Sequence, residues 1–161
     1  FKQYTGEGSI VPGVIYGGER SSVVPDVCEL KVSRFLVPGE NSSMFCSQVQ
    51  GIIDKLKLTN DSFQAHVQLT YESKPHLIDE SEPIVQHFLK AHQFFQSPVK
   101  ISGTPQHCDA DYLVNMGKIP TVIYGPGKIK VAHIPDEYVE IPEVVRATKV
   151  YALVLYHALK V

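Results

Sequence analysis

Apolar and polar positions along this chain change period several times, and each change marks an element. Residues 10–16 form an apolar run interrupted by Pro12 and Gly13 and closed by Gly17-Gly18, the pattern of an irregular or edge strand running into a turn. Over residues 27–36 the phases separate. Cys28, Leu30 and Val32 share one phase and Glu29, Lys31 and Ser33 the other, which predicts a half-buried strand ended by Pro38-Gly39. Phe45, Val49, Ile52, Ile53 and Leu56 then recur at helical spacing behind Ser42 and Ser43, either of which is a suitable cap. Residues 64–72 alternate again. Ala65, Val67, Leu69 and Tyr71 lie against Gln64, His66, Gln68 and Thr70, so a strand with one wet face is predicted.

The second half begins after residues 74–80, where proline, charge and polar residues separate two periodic blocks and a domain crossing is expected near Asp79. Ser81 and Pro83 open a helix whose Ile84, Val85, Phe88, Leu89 and Phe95 form an apolar stripe, with His87 and Lys90 on the polar face. A short helix is predicted over residues 109–116. The unbroken apolar run 119–124 reads as a buried parallel strand, stopped by Gly125-Pro126-Gly127. A last helix starts near Pro142 and is expected to bury Ile141, Val144, Val145, Thr148, Tyr151, Leu155 and Leu159. The order gives an α+β layer over residues 1–79 followed by closing units of an α/β sheet over residues 80–161, with no internal repeat.

Composition narrows the functional classes. With 43% hydrophobic and 20% charged residues, the 161-residue chain has material for one ordinary core or two small ones. A net charge of -2 provides no basic stripe for nucleic acid, and no apolar run is long enough to span a bilayer. Cys28, Cys46 and Cys108 are odd in number and widely spaced, which argues against a disulfide framework and for a reducing, cytoplasmic setting. Asn41 and Asn60 open triplets that match glycosylation acceptors and are read as solvated loops. The chain opens on Phe1 without a signal-peptide pattern, and a piece of something longer is expected.

Three places carry candidate chemistry. Ligands gather beyond the carboxyl ends of strands in open α/β sheets, which directs attention to the loop after Tyr124 and to His133 within it. An imidazole there suits a metal, although a lone loop histidine is more often an ordinary surface residue. Arg34 shares the strand phase of Cys28, Leu30, Val32 and Leu36, where a charge needs a partner or an exit to solvent. Its planar fork would suit a substrate carboxylate. The third place is His107-Cys108-Asp109, whose His-x-Asp spacing is compatible with metal ligands. Asp109 and Asp111 are equally suited to interacting with the start of a helix, and Cys108 has nothing to orient a base beside it.

Taken in order, these segments resemble one family. Ile119-Pro120-Thr121-Val122-Ile123-Tyr124-Gly125-Pro126-Gly127 and Ala132-His133-Ile134-Pro135-Asp136-Glu137 resemble the final signature of the di-zinc aminoacylase, acetylornithine deacetylase, succinyl-diaminopimelate desuccinylase and glutamate carboxypeptidase family. Gly17-Gly18, Val23-Val24-Pro25-Asp26 and Val32-Ser33-Arg34 ahead of Pro38-Gly39 resemble its lid domain. The resemblance implies a fold in which residues 80–161 are the C-terminal units of a zinc-exopeptidase-like α/β catalytic domain. Residues 1–79 would then be part of an α+β, ferredoxin-like lid that serves dimerisation. It further implies that His133 ligates one of two zinc ions, with cobalt or manganese as substitutes. The resemblance also implies that Arg34 holds the substrate carboxylate and that Ser22, Gly125 and Gly127 lie among the substrate contacts.

The departures are equally specific. Ser22 stands where the family commonly has asparagine, Ser33 where aspartate is common, and Cys108-Asp109-Ala110-Asp111 replaces a T-D-A-R segment. The family's other metal ligands and its paired glutamates, which include the general base, have no counterpart here, so no catalytic residue is identifiable in this chain. The expected activity is hydrolysis of the amide of an N-acyl amino acid or small peptide by a homodimeric intact protein, the 161 residues alone being inactive. The rival expectation is a non-catalytic dimerisation or interaction module descended from such an enzyme.

Overall fold

The computed structural model describes residues 8–104 and 107–159. The chain is α/β, with a two-stranded sheet and four α-helices among the described residues. It divides into two compact units, one made of residues 8–76, 102–104 and 107–111, the other of residues 77–101 and 112–159.

In the first unit, β1 (Ser9–Gly17) and β2 (Cys28–Phe35) pair antiparallel from Ser9 opposite Phe35 to Gly17 opposite Cys28. A bulge falls between Pro12 and Val14. Proline cannot donate to a ladder and glycine tolerates the extra residue, so Pro12-Gly13 places the irregularity. Gly18 follows at φ +78°, the left-handed conformation a turn can ask of glycine. The expected half-buried strand is corrected in one respect. Leu30 and Val32 are exposed among the described residues, and β2 gains cover only at Arg34 and Phe35.

Helix α1 (Ser42–Thr59) starts one residue earlier than Ser42 would set it and two earlier than Ser43 would, because Asn41 is the cap. Its Oδ1 accepts the Met44 N–H at 2.9 Å and the Ser43 hydroxyl at 2.6 Å. Phe45, Val49 and Ile53 form the covered face, at spacings of four residues, whereas Ile52 and Leu56 lie outside it. Residues 64–72 are extended but join no ladder among the described residues, which corrects the predicted strand. Its alternation survives in burial only as far as Val67, since Leu69 and Tyr71 are exposed. Ala65 and Val67 are half-buried and Gln64, His66 and Gln68 exposed, since side chains of any extended segment point alternately to two sides.

The second unit is built on α2 (Pro83–Phe94) and α4 (Ile141–Leu159), with α3 (Ala110–Asn115) beginning in the first unit and a 3-10 turn at Ile129–Val131. Pro83 occupies the first turn of α2, where a missing N–H costs nothing. Ahead of it, Asp79 accepts the Ser81 hydroxyl and N–H, and those bonds hold its carboxyl below the usual carboxylate range. The core comprises Phe88, Ala91, Val150 and Val154, with Ile84, Val122, Tyr124 and Leu153 packed against it.

Two expectations are corrected here. The run 119–124 is extended without a strand partner among the described residues, its Val122 and Tyr124 turned to the core and its Ile119 and Ile123 exposed. Helix α4 buries Ala147, Val150 and Val154 instead of the predicted stripe, whose Ile141, Leu155 and Leu159 are more than half exposed. α4 is apolar on more than one side, so periodicity leaves several faces eligible. The face that meets α2 is the one whose small and β-branched residues let two helix backbones approach.

Candidate functional site

In the first unit the site centres on Arg34, held near the end of β2 opposite Ile10. Its guanidinium Nη2 lies 2.5 Å from the Glu40 carboxylate, the two side chains being 19% and 30% exposed. The other Glu40 oxygen accepts the Val37 N–H at 3.3 Å, while the Glu40 N–H donates to the Val37 carbonyl at 2.9 Å. The Pro38-Gly39 turn, with Gly39 at φ +97°, thereby carries the carboxylate back to the guanidinium. Gly8 completes the enclosure. A Cβ on Gly8 would stand 2.6 Å from the Phe35 carbonyl and 3.0 Å from the guanidinium carbon, so the backbone lies flush against Arg34 because there is no side chain. The charge in the apolar phase of β2 thus has a partner, supplied by a residue six positions on.

Ser22 is exposed in the β1–β2 connection, where the Val23 N–H donates to the Arg20 carbonyl at 3.2 Å. Arg34 lies toward the other end of the hairpin, so the structure does not bring these two together. At about 3.3 Å per residue, the six steps from Cys28 to Arg34 alone span roughly 20 Å.

The segment holding His107 forms a polar cluster that differs from its sequence spacing. His107 Nδ1 is 3.7 Å from the Asp111 carboxylate and 3.1 Å from the Ser73 hydroxyl, and Nε2 is 3.3 Å from the Tyr71 hydroxyl. Ser73 also donates to Asp111, which is buried. The partner of His107 is therefore Asp111 rather than Asp109. Asp111 is also the residue that replaces the expected arginine, and its burial goes with a hydrogen bond, as a buried carboxylate requires. Sequence reading did not single out Tyr71 or Ser73, which lie more than thirty positions away and are brought in only by the path of the chain.

In the second unit, the loop after Tyr124 returns to the start of α4. Gly127, at φ +96°, donates its N–H to the Glu143 carboxylate at 3.0 Å, and Gly125 is exposed in the bend before it. Gly127, Lys128, Val131, Tyr138 and Glu143 line a shallow recess. His133 is exposed just beyond the 3-10 turn at φ +62°, and its N–H donates to the Glu137 carboxylate at 2.9 Å. A left-handed histidine fixed from its backbone has its side chain aimed by the turn rather than by packing. Among the described residues no group of three or more His, Cys, Asp or Glu converges as a metal ion would require. His133 offers one donor, and the described residues do not by themselves fit a two-metal centre.

Residues 4–157 match the family described as Peptidase family M20/M25/M40. The chain belongs to that family. Within the M20/M25/M40 proteins, it is 27% identical over 146 residues to an acetylornithine deacetylase of Myxococcus xanthus, covering 90% of this chain and 37% of that protein. It is 27% identical over 158 residues to an N-formyl-4-amino-5-aminomethyl-2-methylpyrimidine deformylase of Bacillus subtilis (strain 168), at coverages of 90% and 37%. A probable succinyl-diaminopimelate desuccinylase of Staphylococcus aureus (strain MSSA476) is 28% identical over 135 residues, at 81% and 32%. The chain thus spans about a third of the length of these relatives. No helix among the described residues is long and apolar enough to cross a membrane.

Proposed function

We propose that the protein carrying this chain is a metal-dependent amidohydrolase that cleaves the amide bond of an N-acyl amino acid or small peptide. The observation that carries this reading is the family match across residues 4–157, together with relatives named as deacetylase, deformylase and desuccinylase. In this reading Arg34 holds the substrate carboxylate through its planar fork, with Gly125 and Gly127 among the substrate contacts, while Ser22, at the far end of the hairpin from Arg34, is assigned no contact with the same small substrate. His133 contributes one ligand to a site for two zinc ions, which cobalt or manganese can replace. The other ligands and the general base are assigned to the part of the relatives that this chain does not span, and no catalytic step is assigned to residues of this chain.

Residues 1–79 are read as part of a lid through which two copies of the protein associate, and residues 80–161 as the C-terminal part of the catalytic domain. The exposed apolar residues of the β1–β2 sheet, Ile15 and Leu30 among them, support an associating role. Three free cysteines support a reducing, cytoplasmic setting.

The test is hydrolysis of N-acetyl-L-ornithine and N-succinyl-L,L-diaminopimelate by the intact protein, before and after chelation and after return of zinc, cobalt or manganese. Turnover that chelation abolishes and metal restores supports the reading. An intact protein that releases no acyl group from either compound, yet self-associates, supports the non-catalytic module instead.

A further inference from the structure

We propose that Glu40 is a built-in competing anion that sets how tightly Arg34 holds a ligand carboxylate, and with it which carboxylate-bearing substrates are retained. The inference rests on the reading of Arg34 as the carboxylate anchor and adds to it a residue that tunes the anchor. The geometry is that of an internal stand-in. One Glu40 oxygen is 2.5 Å from Nη2, and the other is held on the Val37 N–H by the turn that contains Gly39. Both side chains are largely shielded from water, at 19% and 30% exposure, so the pair is screened less than a surface ion pair.

A ligand carboxylate approaching the same Nη2 edge meets an anion already seated there. Two carboxylates sharing one guanidinium repel each other at such distances. Binding therefore includes release of Glu40, and the apparent affinity is the intrinsic affinity reduced by the cost of that release. Gly8 strengthens the effect. Its backbone lies where a Cβ would touch the guanidinium at 3.0 Å, which limits how far Arg34 can swing to take a second partner without giving up the first.

A residue that only positioned Arg34 would have the opposite sign. Losing it would loosen the guanidinium and weaken binding, whereas losing a competitor strengthens it.

The experiment measures kcat and KM for N-acetyl-L-ornithine with the intact protein and its Glu40→Gln, Glu40→Asp and Arg34→Met variants, each with a thermal melt. Glu40→Gln is expected to lower KM roughly threefold to tenfold at nearly unchanged kcat, the range expected of a partly shielded ion pair. Glu40→Asp, which keeps the charge but shortens the reach, is expected to fall between that variant and the native protein, and it decides the matter if Glu40→Gln melts early. A KM that is unchanged or raised in these variants, while Arg34→Met raises KM, overturns the inference and leaves Arg34 as the anchor. An Arg34→Met variant with native KM, or an intact protein without turnover, removes the anchor reading and the inference with it.

Discussion

Gly127 donates its backbone N–H to the carboxylate of Glu143 at 3.0 Å, which ties the glycine-proline-glycine loop to the first turn of α4. One carboxylate thereby accepts a loop N–H and lies at the positive end of a helix dipole. Glu143→Ala is expected to lower stability by about 0.5–1.5 kcal/mol through the lost hydrogen bond and charge. Gly127→Ala has room for its methyl group, 3.7 Å from Val139, but must hold φ +96°. That strain costs about 1–2 kcal/mol. Chemical denaturation of both variants checks the two figures, and a Gly127→Ala protein as stable as the native one would contradict the left-handed turn.

His92 is buried in α2 with neither ring nitrogen hydrogen-bonded among the described residues, and it meets Tyr124 edge-on at 5.4 Å between centroids. An unpaired buried polar group costs about 1–3 kcal/mol, while an aromatic contact returns about 0.5–1.5 kcal/mol. The first is larger. His92→Leu is therefore expected to raise the urea midpoint by an amount corresponding to about 1 kcal/mol, and a lowered midpoint would mean that the imidazole has partners in solution.

Tyr124 has its phenol pushed above the ordinary tyrosine range by burial and by neighbouring Tyr151, with Arg146 opposing. Because the folded pKa is raised, the protonated phenol favours the folded state. This contribution is fully present below the unfolded pKa, near about 10, and is lost as pH rises through the folded value. Stability is expected to decline above about pH 10, and Tyr124→Phe should flatten that decline. Denaturation midpoints at a series of alkaline pH values, with phenolate absorbance recorded on the same samples, provide the check. A slope unchanged in the variant would assign the effect to another tyrosine.

His133 is held by the Glu137 carboxylate through its backbone N–H, not through the ring. On the proposed reading of His133 as a metal ligand, His133→Ala in the intact protein is expected to lower metal affinity by at least about a hundredfold, and Glu137→Ala by about tenfold through a looser turn. The 161 residues alone should show neither two-zinc stoichiometry nor amide hydrolysis. Metal titration by calorimetry on both forms distinguishes these outcomes, and native affinity in the His133→Ala protein would remove the ligand assignment.

Hydrophobic period alone placed β1, β2, α1, α2 and α4 close to their observed bounds, because strand and helix project side chains at fixed and different intervals. It did not distinguish an extended segment from a paired strand. Residues 64–72 and 119–124 carry strand patterns, yet pairing depends on a neighbour's backbone, which no local pattern contains. Nor did it choose the buried face of α4, since several faces were apolar and only the approach of α2 selected Ala147, Val150 and Val154.

The candidate site divides along the same line. The misplaced charge of Arg34 and the glycines at turns were legible because each breaks a local rule. The identity of their partners was not. That Glu40 returns to Arg34, that Ser73 meets Asp111 and that Glu143 receives Gly127 follow from chain paths that bring distant residues within hydrogen-bond reach. Hydrogen bonds and ion pairs act over a few ångströms in space whatever the separation in sequence, so the sequence by itself determined which groups need partners, and only the tertiary structure decided which partners they have.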